Sequence, residues 1–346
     1  MPGPARHWPG ARDEHARDVV AGIGVGSCAP TAAAAGRCLT ALAAGLCLPL
    51  PSGGGLRRRW LGLAEVAAAD LSVARLFEGH VDALAVLAEA DHPPVRGRTY
   101  GVWASKAGGT TVTAVTRPGG DLVLDGIRPY ASGAHSIDTA LLTVDGPGGP
   151  LLVAVDVVAD GVTVQEGTWP AIGMAGSDSA TVHLSGVRVG AGDVVGPPGY
   201  YLGRAGFWPG AVGVAACWFG GAVGVVQPLV DAAVEGALDP HGLAHLGRAW
   251  ADLEAASALL ERTADRLAAG ATPAAELRLE AEVARGVIER LAGTTVDAVA
   301  RGLGPGPLTG DRIHAQRVAD LEVYVRQHHA ERDQAELGRL LGSRSW

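Results

Sequence analysis

The spacing of apolar residues gives the first helical signal of the chain. From Trp60 to Ala90 apolar positions recur at intervals close to 3.6 residues, which predicts one or two amphipathic helices. Pro93 and Pro94 end this stretch, because proline clashes with the preceding helical turn. Residues 1 to about 18 are polar and rich in proline and glycine, and we expect them to form a loose chain end.

From Tyr100 to Val195 the pattern changes to short runs rich in β-branched residues, separated by glycine, proline and aspartate. Such runs predict an antiparallel β domain. In the run from Ala180 to Val189 apolar and polar residues alternate, which is typical of a sheet with one face in solvent, and we expect His183 on the solvated face. The predicted strands include residues 122–127, 139–144, 151–157, 162–165 and 180–189.

Helical patterns return after the boundary at Pro197–Gly199. The stretch from Ala211 to Glu235 is apolar on almost every side, which is typical of the central helix of a bundle. Gly270 is placed to end the next helix, and Thr272 is placed to cap the one that follows. Short connections between long helices favour an antiparallel bundle, whose further helices are predicted at 243–268, 273–301 and 309–341.

These patterns together predict an α+β protein of three parts. We expect an N-terminal helical domain at residues 1–92, a middle antiparallel β domain at 93–198 and a C-terminal four-helix bundle at 199–346. With 346 residues, 48% of them hydrophobic and 18% charged, the chain can bury sizeable cores.

Charge and cysteine content exclude several classes of partner. The formal net charge is -8, and no run of basic residues is longer than Arg57–Arg59, so we expect no nucleic acid partner. The apolar stretch from Val19 to Leu50 contains Arg37 with several glycines and prolines, so we expect neither a membrane span nor a signal peptide. The cysteines show no metal-ligand spacing, which predicts no metal site and a reduced, cytoplasmic protein; they are Cys28, Cys38, Cys47 and Cys217.

Three strings resemble the acyl-CoA dehydrogenase superfamily of flavoproteins. The string Leu124–Gly133, LDGIRPYASG, is similar to the family's LxGxKxWITxG strand and turn, whose aromatic and hydroxyl residues lie against the flavin ring. The resemblance therefore implies a cofactor site at Tyr130, Ala131 and Ser132. The segment 169–189 resembles the β segment that closes the family's middle domain, and the small-residue helix 210–224 resembles a closely packed helix of its bundle.

Further cofactor residues follow from the same resemblance. The segment Tyr100–Gly109 stands where the family has TEPxAGSD, and although its acidic residues and proline are missing, Ser105 is carried over as a flavin contact. Trp103 either stacks near the ring or belongs to the core. Gly304, in a glycine-rich stretch, resembles the turn that approaches the cofactor of a neighbouring subunit, or it belongs to a plain interhelical loop. The cofactor implied is FAD, or FMN in a monooxygenase.

The catalytic base of a dehydrogenase is missing from both places where the family has it. The family commonly has YEGT near the end of the bundle, but this chain reads Tyr324-Val325-Arg326, and no acidic residue lies between Asp193 and Asp231. The nearby Glu322 and Glu331 are better explained as a charged helix face.

The last predicted helix carries a different candidate, His328. It follows Asp320 and precedes a second histidine, an arrangement that resembles the flavin monooxygenase branch of the superfamily, where a histidine beyond an Arg-Asp pair lies beside the reduced flavin. Ala319 replaces the arginine of that pair. The alternative is that His328 and His329 lie on a solvated helix face.

Three hypotheses follow. The first is an FAD-dependent dehydrogenase that oxidises a small acyl thioester or related acyl group, carrier-bound or free, with an electron-transfer flavoprotein as acceptor. The second is a monooxygenase that takes reduced flavin from a flavin reductase, and the third is a scaffold without activity. The β-domain strings place the dehydrogenase first. The resemblance also implies a homodimer or homotetramer.

Overall fold

The computed structural model describes residues 9–26, 31–52, 54–105, 109–268 and 273–342. Its N-terminal part consists of α1 (Glu14–Ile23), α2 (Ala32–Gly45), α3 (Leu56–Ala69) and α4 (Leu71–Glu89). The helical spacing from 60 to 90 is therefore confirmed as α3 and α4. The prediction of a loose end is wrong for residues 14–18, which begin α1, because a carboxylate oxygen of Asp13 accepts a hydrogen bond from the N–H of Ala16 (3.0 Å) and caps this helix; residues 1–8 lie outside the described part of the chain.

The middle part forms one mixed sheet. Its strands are β1 (Tyr100–Trp103), β2 (Val112–Thr116), β3 (Leu122–Ala131), β4 (Thr139–Gly146), β5 (Gly149–Asp156), β6 (Val162–Gln165) and β7 (Ala180–Val189). They lie in the order β1-β4-β2-β3-β7-β6, and β5 pairs with β4 as well. On β7 the inward Val182 and Leu184 are buried, and the half-buried His183 bonds the side chain of Gln165 (2.9 Å).

The prediction of an antiparallel sheet is wrong in one part, since β1 and β2 pair with β4 in parallel. The side chain of Asp138, just before β4, accepts hydrogen bonds from the backbone N–H (2.7 Å) and the hydroxyl of Thr99, just before β1. Because this clamp holds the two strand starts side by side, the strands leave in the same direction.

The C-terminal part returns to helices: α5 (Tyr200–Gly203), α6 (Phe207–Val234), α7 (Pro240–Ala268), α8 (Ala274–Leu303), α9 (Gly306–Gly310), α10 (Arg312–Tyr324) and α11 (Glu331–Gly342). Gly270 and Thr272, predicted to end one helix and cap the next, lie outside the described residues, as does Cys28. Helix α6 is long and apolar enough to cross a membrane, but 89% of its most apolar 18-residue stretch is buried in the fold. Its apolar side chains therefore pack against the rest of the protein.

The predicted single helix at 309–341 is broken in the structure. Helix α10 ends at Tyr324, a 3₁₀ turn follows, and α11 begins at Glu331. Ala330 adopts a left-handed backbone conformation with φ of 44°, and its N–H donates to Nδ1 of His328 (3.2 Å). This left-handed residue explains the break, because a regular helix cannot continue through it.

Candidate functional site

The turn at the end of β3 presents an aromatic side chain to solvent. The pairing of β3 with β7 is interrupted between Arg128 and Ala131, and Tyr130 within this irregularity has φ of 55°. Its side chain is 54% exposed and meets the ring of Trp169 edge to face, with centroids 6.3 Å apart. The irregularity therefore turns Tyr130 outward from the sheet, whereas the neighbouring Ala131 is fully buried.

The predicted residues Trp103 and Ser132 lie behind this turn. Trp103 is 2% exposed, and its indole N–H donates to the carbonyl of Ser132 (3.0 Å). The Ser132 hydroxyl bonds that of Ser179 (2.8 Å), and Ser179 bonds Ser177 (2.9 Å). Both predicted residues are thus engaged within the fold: Trp103 is a core side chain that fixes the turn, and the Ser132 hydroxyl belongs to a buried serine cluster.

Arg128 connects this turn to Ser105. Its guanidinium is almost fully buried and donates to the carbonyls of Ser105 and Thr143. Burial lowers the pKa of Arg128. The half-buried Ser105 is therefore held by its backbone beside the strand that carries Tyr130.

The segment before β7 joins the turn to the helical bundle. A Cβ on Gly173 would overlap the carbonyl of Ala319 on α10, so glycine is needed for this close approach. Asp320 accepts a hydrogen bond from the N–H of Met174, and burial raises the pKa of Asp320 to about 6. The indole of Trp169 donates to the Met174 carbonyl (2.9 Å). Trp169 is thereby fixed against α10.

Tyr130, Trp169 and Ile172 form what we call the aromatic shelf. Ile172 is 81% exposed, and its carbonyl accepts a hydrogen bond from Gln316 of α10 (3.1 Å). A flavin needs a flat apolar surface for its ring and a few polar groups at its edge. The shelf offers exposed apolar surface of this kind, and the Ser105 carbonyl is bonded to Arg128, two residues before Tyr130.

His328 lies elsewhere in the bundle and is not solvated. It is 2% exposed, its ring lies 6.5 Å from the ring of Trp218 on α6, and its Nε2 lies 3.8 Å from where a Cβ on Gly286 of α8 would stand. It borders a cavity of about 140 Å³ between α8 and α11. Burial lowers the pKa of His328, so the imidazole is neutral at pH 7. His329 is exposed beside Asp333.

Between residues 325 and 342, the described part of the chain after Tyr324, no acidic residue is buried. Tyr324 itself is buried, with its ring 6.4 Å from that of Trp218, and burial raises its pKa. Glu322 and Glu331 are both exposed, which agrees with the charged surface predicted for them. The structure thus places neither glutamate in the interior.

Gly304 has φ of 64° at the end of α8, and nothing lies within 4 Å of where its Cβ would stand. Within one chain it belongs to the loop between α8 and α9.

Among the described residues, no group of three or more His, Cys, Asp or Glu side chains is arranged to hold a metal ion.

A buried set of charges on α4, which we call the junction cluster, escaped the sequence analysis. Nη1 of Arg75 lies 2.7 Å from a carboxylate oxygen of Glu78. Nη2 of Arg204 lies 2.8 Å from a carboxylate oxygen of Asp82, and its Nη1 lies 3.4 Å from one of Glu89. The spacing of residues 75, 78, 82 and 89 puts them on one face of a helix, a signal visible in the sequence. On its own that signal predicts a solvated stripe.

The cluster lies where all three parts of the chain meet. Burial raises the pKa of Glu78, against the effect of Arg75. The Cys217 thiol of α6 and the hydroxyl of Tyr324 are also buried there, and burial raises the pKa of each. Both groups are therefore neutral at pH 7.

The fold is shared with solved flavoprotein structures. TdsC from Paenibacillus sp. A11-2, determined with FMN and indole, is 20% identical, with 95% of this chain and 97% of that chain covered and a TM-score of 0.80. KijD3, in complex with FMN and a dTDP-linked amino keto sugar, is 19% identical, with 95% and 94% covered and a TM-score of 0.77. Methanesulfinate monooxygenase MsuC from Pseudomonas fluorescens is 18% identical, with 94% and 95% covered and a TM-score of 0.76.

No family model and no curated protein sequence matches the chain. The structural likeness confirms the predicted α+β fold, that of the acyl-CoA dehydrogenases and of the flavin monooxygenases built like them.

Proposed function

We propose that the protein is a flavin-dependent oxidoreductase, and specifically a monooxygenase that uses reduced FMN from a separate flavin reductase. The observation that carries the proposal is the likeness, over 94 to 95% of the chain, to TdsC and MsuC, both of which are named as monooxygenases. FMN is preferred to FAD because the TdsC and KijD3 structures contain FMN.

The dehydrogenase hypothesis, placed first from the sequence, now ranks second. Removing a proton beside a thioester carbonyl needs a poised carboxylate, and Glu322 and Glu331 are exposed. The turn LDGIRPYASG does not favour the dehydrogenase either, because its resemblance is to the superfamily as a whole. Oxidation of an acyl thioester therefore has no observation of its own in its favour.

The proposal gives roles to the residues of the site. When bound in its reduced state, the flavin supplies the electrons that activate oxygen. The aromatic shelf supports the ring, and the turn around Ala131 and Ser132 keeps Tyr130 in place. His328 acts as hydrogen-bond and proton donor through Nε2, since burial keeps the imidazole neutral and its Nδ1 already accepts from the N–H of Ala330. We further propose a cytoplasmic homodimer or homotetramer in which Gly304 approaches the neighbouring subunit's cofactor.

The first test measures oxygen consumption by the purified protein with FMN, a flavin reductase and NADH. Indole, present in the TdsC structure, is the first substrate probe. We expect oxygen uptake and product formation that depend on both the protein and the reductase. Bleaching of bound flavin by acyl-CoA thioesters without oxygen would instead establish the dehydrogenase, and absence of flavin binding would favour the scaffold.

Adjacent histidines provide a matched pair of variants for the site. We expect His328→Ala to reduce substrate-dependent product formation about 100-fold or more, as for loss of a proton-transfer group, and His329→Ala to change it less than twofold, since His329 is exposed. Equal effects of the two variants would show that His328 does not have the proposed role.

Tyr130→Ala should weaken FMN binding about tenfold, and Val158→Ala, at another exposed position, is the control.

A further inference from the structure

Arg75 occupies an unusual place on α4. From Leu71 to Ala83 every residue of this helix is buried except Arg75, whose side chain is 16% exposed. Its Nη1 lies 3.3 Å from where a Cβ on Gly79 would stand, and the backbone of Gly101 on β1 lies 4.0 Å from the same point. Arg75 is therefore the one partly exposed residue of this stretch, and its guanidinium lies at the contact between α4 and β1.

This position adjoins the turn assigned to the flavin. A Cβ on Gly101 would lie 3.6 Å from the carbonyl oxygen of Ser132, and a Cβ on Gly133 would lie 3.2 Å from the side chain of Leu76, the residue after Arg75. Helix α4 and strand β1 thus pack directly against the Ser132 turn. A small molecule that reaches Arg75 lies next to that turn.

The charges around Arg75 leave hydrogen-bonding capacity unused. Arg75 uses Nη1 on Glu78, and its buried Nε has no hydrogen-bond partner within the described part of the chain. Asp82 and Glu89 are already paired with Arg204. A guanidinium has five N–H donors, and leaving buried donors unpaired is costly.

The remaining neighbours of Arg75 are polar but uncharged. Tyr201, Cys217 and Tyr324 all interact electrostatically with it, and burial raises the pKa of each. Their hydroxyl and thiol groups supply hydrogen-bonding capacity without a competing negative charge. The surroundings therefore suit an anionic group that forms a fork-like pair with arginine.

We propose that Arg75, held in place by Glu78, is the recognition point for an oxyanion group of the substrate. The substrate class that fits best is then a small molecule with a carboxylate, sulfinate or sulfonate group. That the bound anion is the substrate rests on the proposed function. The binding itself is testable without flavin.

The test titrates the flavin-free protein with acetate, benzoate and methanesulfonate, followed by tryptophan fluorescence and thermal shift, with benzamide as the uncharged analogue of benzoate. We expect at least one anion to saturate the protein, and benzamide to bind at least about tenfold more weakly than benzoate, since charge-assisted hydrogen bonds are the strong ones. Arg75→Met should weaken anion binding about tenfold or more, and Arg75→Lys should restore part of it.

Two further variants separate recognition from a merely structural ion pair. Arg301→Met removes an exposed arginine that also pairs with an acid on its own helix, and should leave anion binding unchanged. Glu78→Gln removes the carboxylate that competes for Arg75, and should strengthen anion binding several-fold. Glu78→Gln also provides the test if Arg75→Met fails to fold, as judged by circular dichroism.

The proposal is overturned if none of the three anions saturates the protein, or if binding is the same in the wild type, Arg75→Met and Glu78→Gln. FMN binding and reductase-coupled oxygen uptake are measured on the same preparations. Anion binding without flavin chemistry would refute the proposed function alone, and flavin chemistry without anion binding at Arg75 would refute this inference alone.

Discussion

Helices α4 and α6 are both buried, but for opposite reasons. Residues Ala215–Val226 of α6 are buried without interruption and are all apolar or small. Helix α4 is nearly as buried, yet it buries Glu78 and Asp82 and carries the partly exposed Arg75 beside them. The burial of α6 follows from its composition, whereas that of α4 depends on partners from distant parts of the chain. The comparison shows that paired charges, as well as apolar surface, fix how the parts meet.

The largest effect should come from breaking the pair of Asp82 with Arg204. Asp82→Asn leaves the buried guanidinium without its closest carboxylate, and loss of one partner of a buried pair costs about 3–5 kcal/mol. Urea unfolding at pH 7 measures the loss. Asp297→Asn, in the exposed pair with Arg301, is the control and should give no resolvable change. A loss for Asp82→Asn as small as that of the control would show that Glu89 alone satisfies Arg204.

The next largest effect concerns the close approach of α6 to α3. A Cβ on Gly220 would overlap the carbonyl oxygen of Ala64 and lie 2.8 Å from its Cα. Because both neighbours are backbone atoms, Gly220→Ala must push the helices apart, and we expect destabilisation of about 3 kcal/mol. Chemical unfolding measures the loss of stability. Gly213→Ala is the control, because the nearest neighbour of the added Cβ there is a leucine methyl group, which can move aside. Equal losses at the two positions would contradict this account.

The order of the elements could be predicted from the sequence, because local patterns determine it. The apolar stretch 211–235 is α6, and the run 180–189 is β7 with the predicted bounds. The break before α11 could not be predicted, since helical spacing continues through residues 309–341 and the turn depends on the left-handed Ala330. The parallel pairing of β1 with β4 also escaped, because Thr99 and Asp138 meet only in the fold.

The site could be predicted only in part. The resemblance singled out Tyr130, which is exposed in the structure, but its contact with Trp169, which is 39 positions away, depends on how the sheet meets α10. Trp103 and Ser132 lie close to the turn, but they bond within the protein. The charges of α4 are visible in the sequence, but nothing local shows that Arg204 will bury them. Long-range contacts therefore account for what sequence patterns missed.

A pH-dependent effect should come from Asp320, the buried acid that joins the β domain to α10. Its pKa is raised from 3.8 to about 6 by burial, so the folded state binds its proton more tightly than the unfolded state does. Its contribution to stability is present at low pH and is lost as pH rises through 6. Between pH 4.5 and 7 the loss is about 2 kcal/mol.

The Asp320→Asn variant checks this sign, because an amide keeps the acceptor for the Met174 N–H without the charge. We expect the advantage of the variant over the wild type in urea unfolding to be about 2 kcal/mol larger at pH 7 than at pH 4.5. A variant that is less stable than the wild type at pH 7 would show that the carboxylate is favourable as an anion.

The smallest effect has the opposite sign and concerns Gly293, in the interior of α8. Nothing lies within 4 Å of where its Cβ would stand, and the residue is exposed. Gly293→Ala therefore removes backbone freedom from the unfolded chain without meeting any neighbour, and should stabilise the protein by about 0.5–1 kcal/mol. The same substitution at Gly220 is destabilising, so helix propensity governs one glycine and the approach of another helix governs the other. Thermal unfolding of the two variants side by side tests this, and a loss of stability at Gly293 would mean that α8 has a neighbour there that a single chain does not show, such as a second subunit.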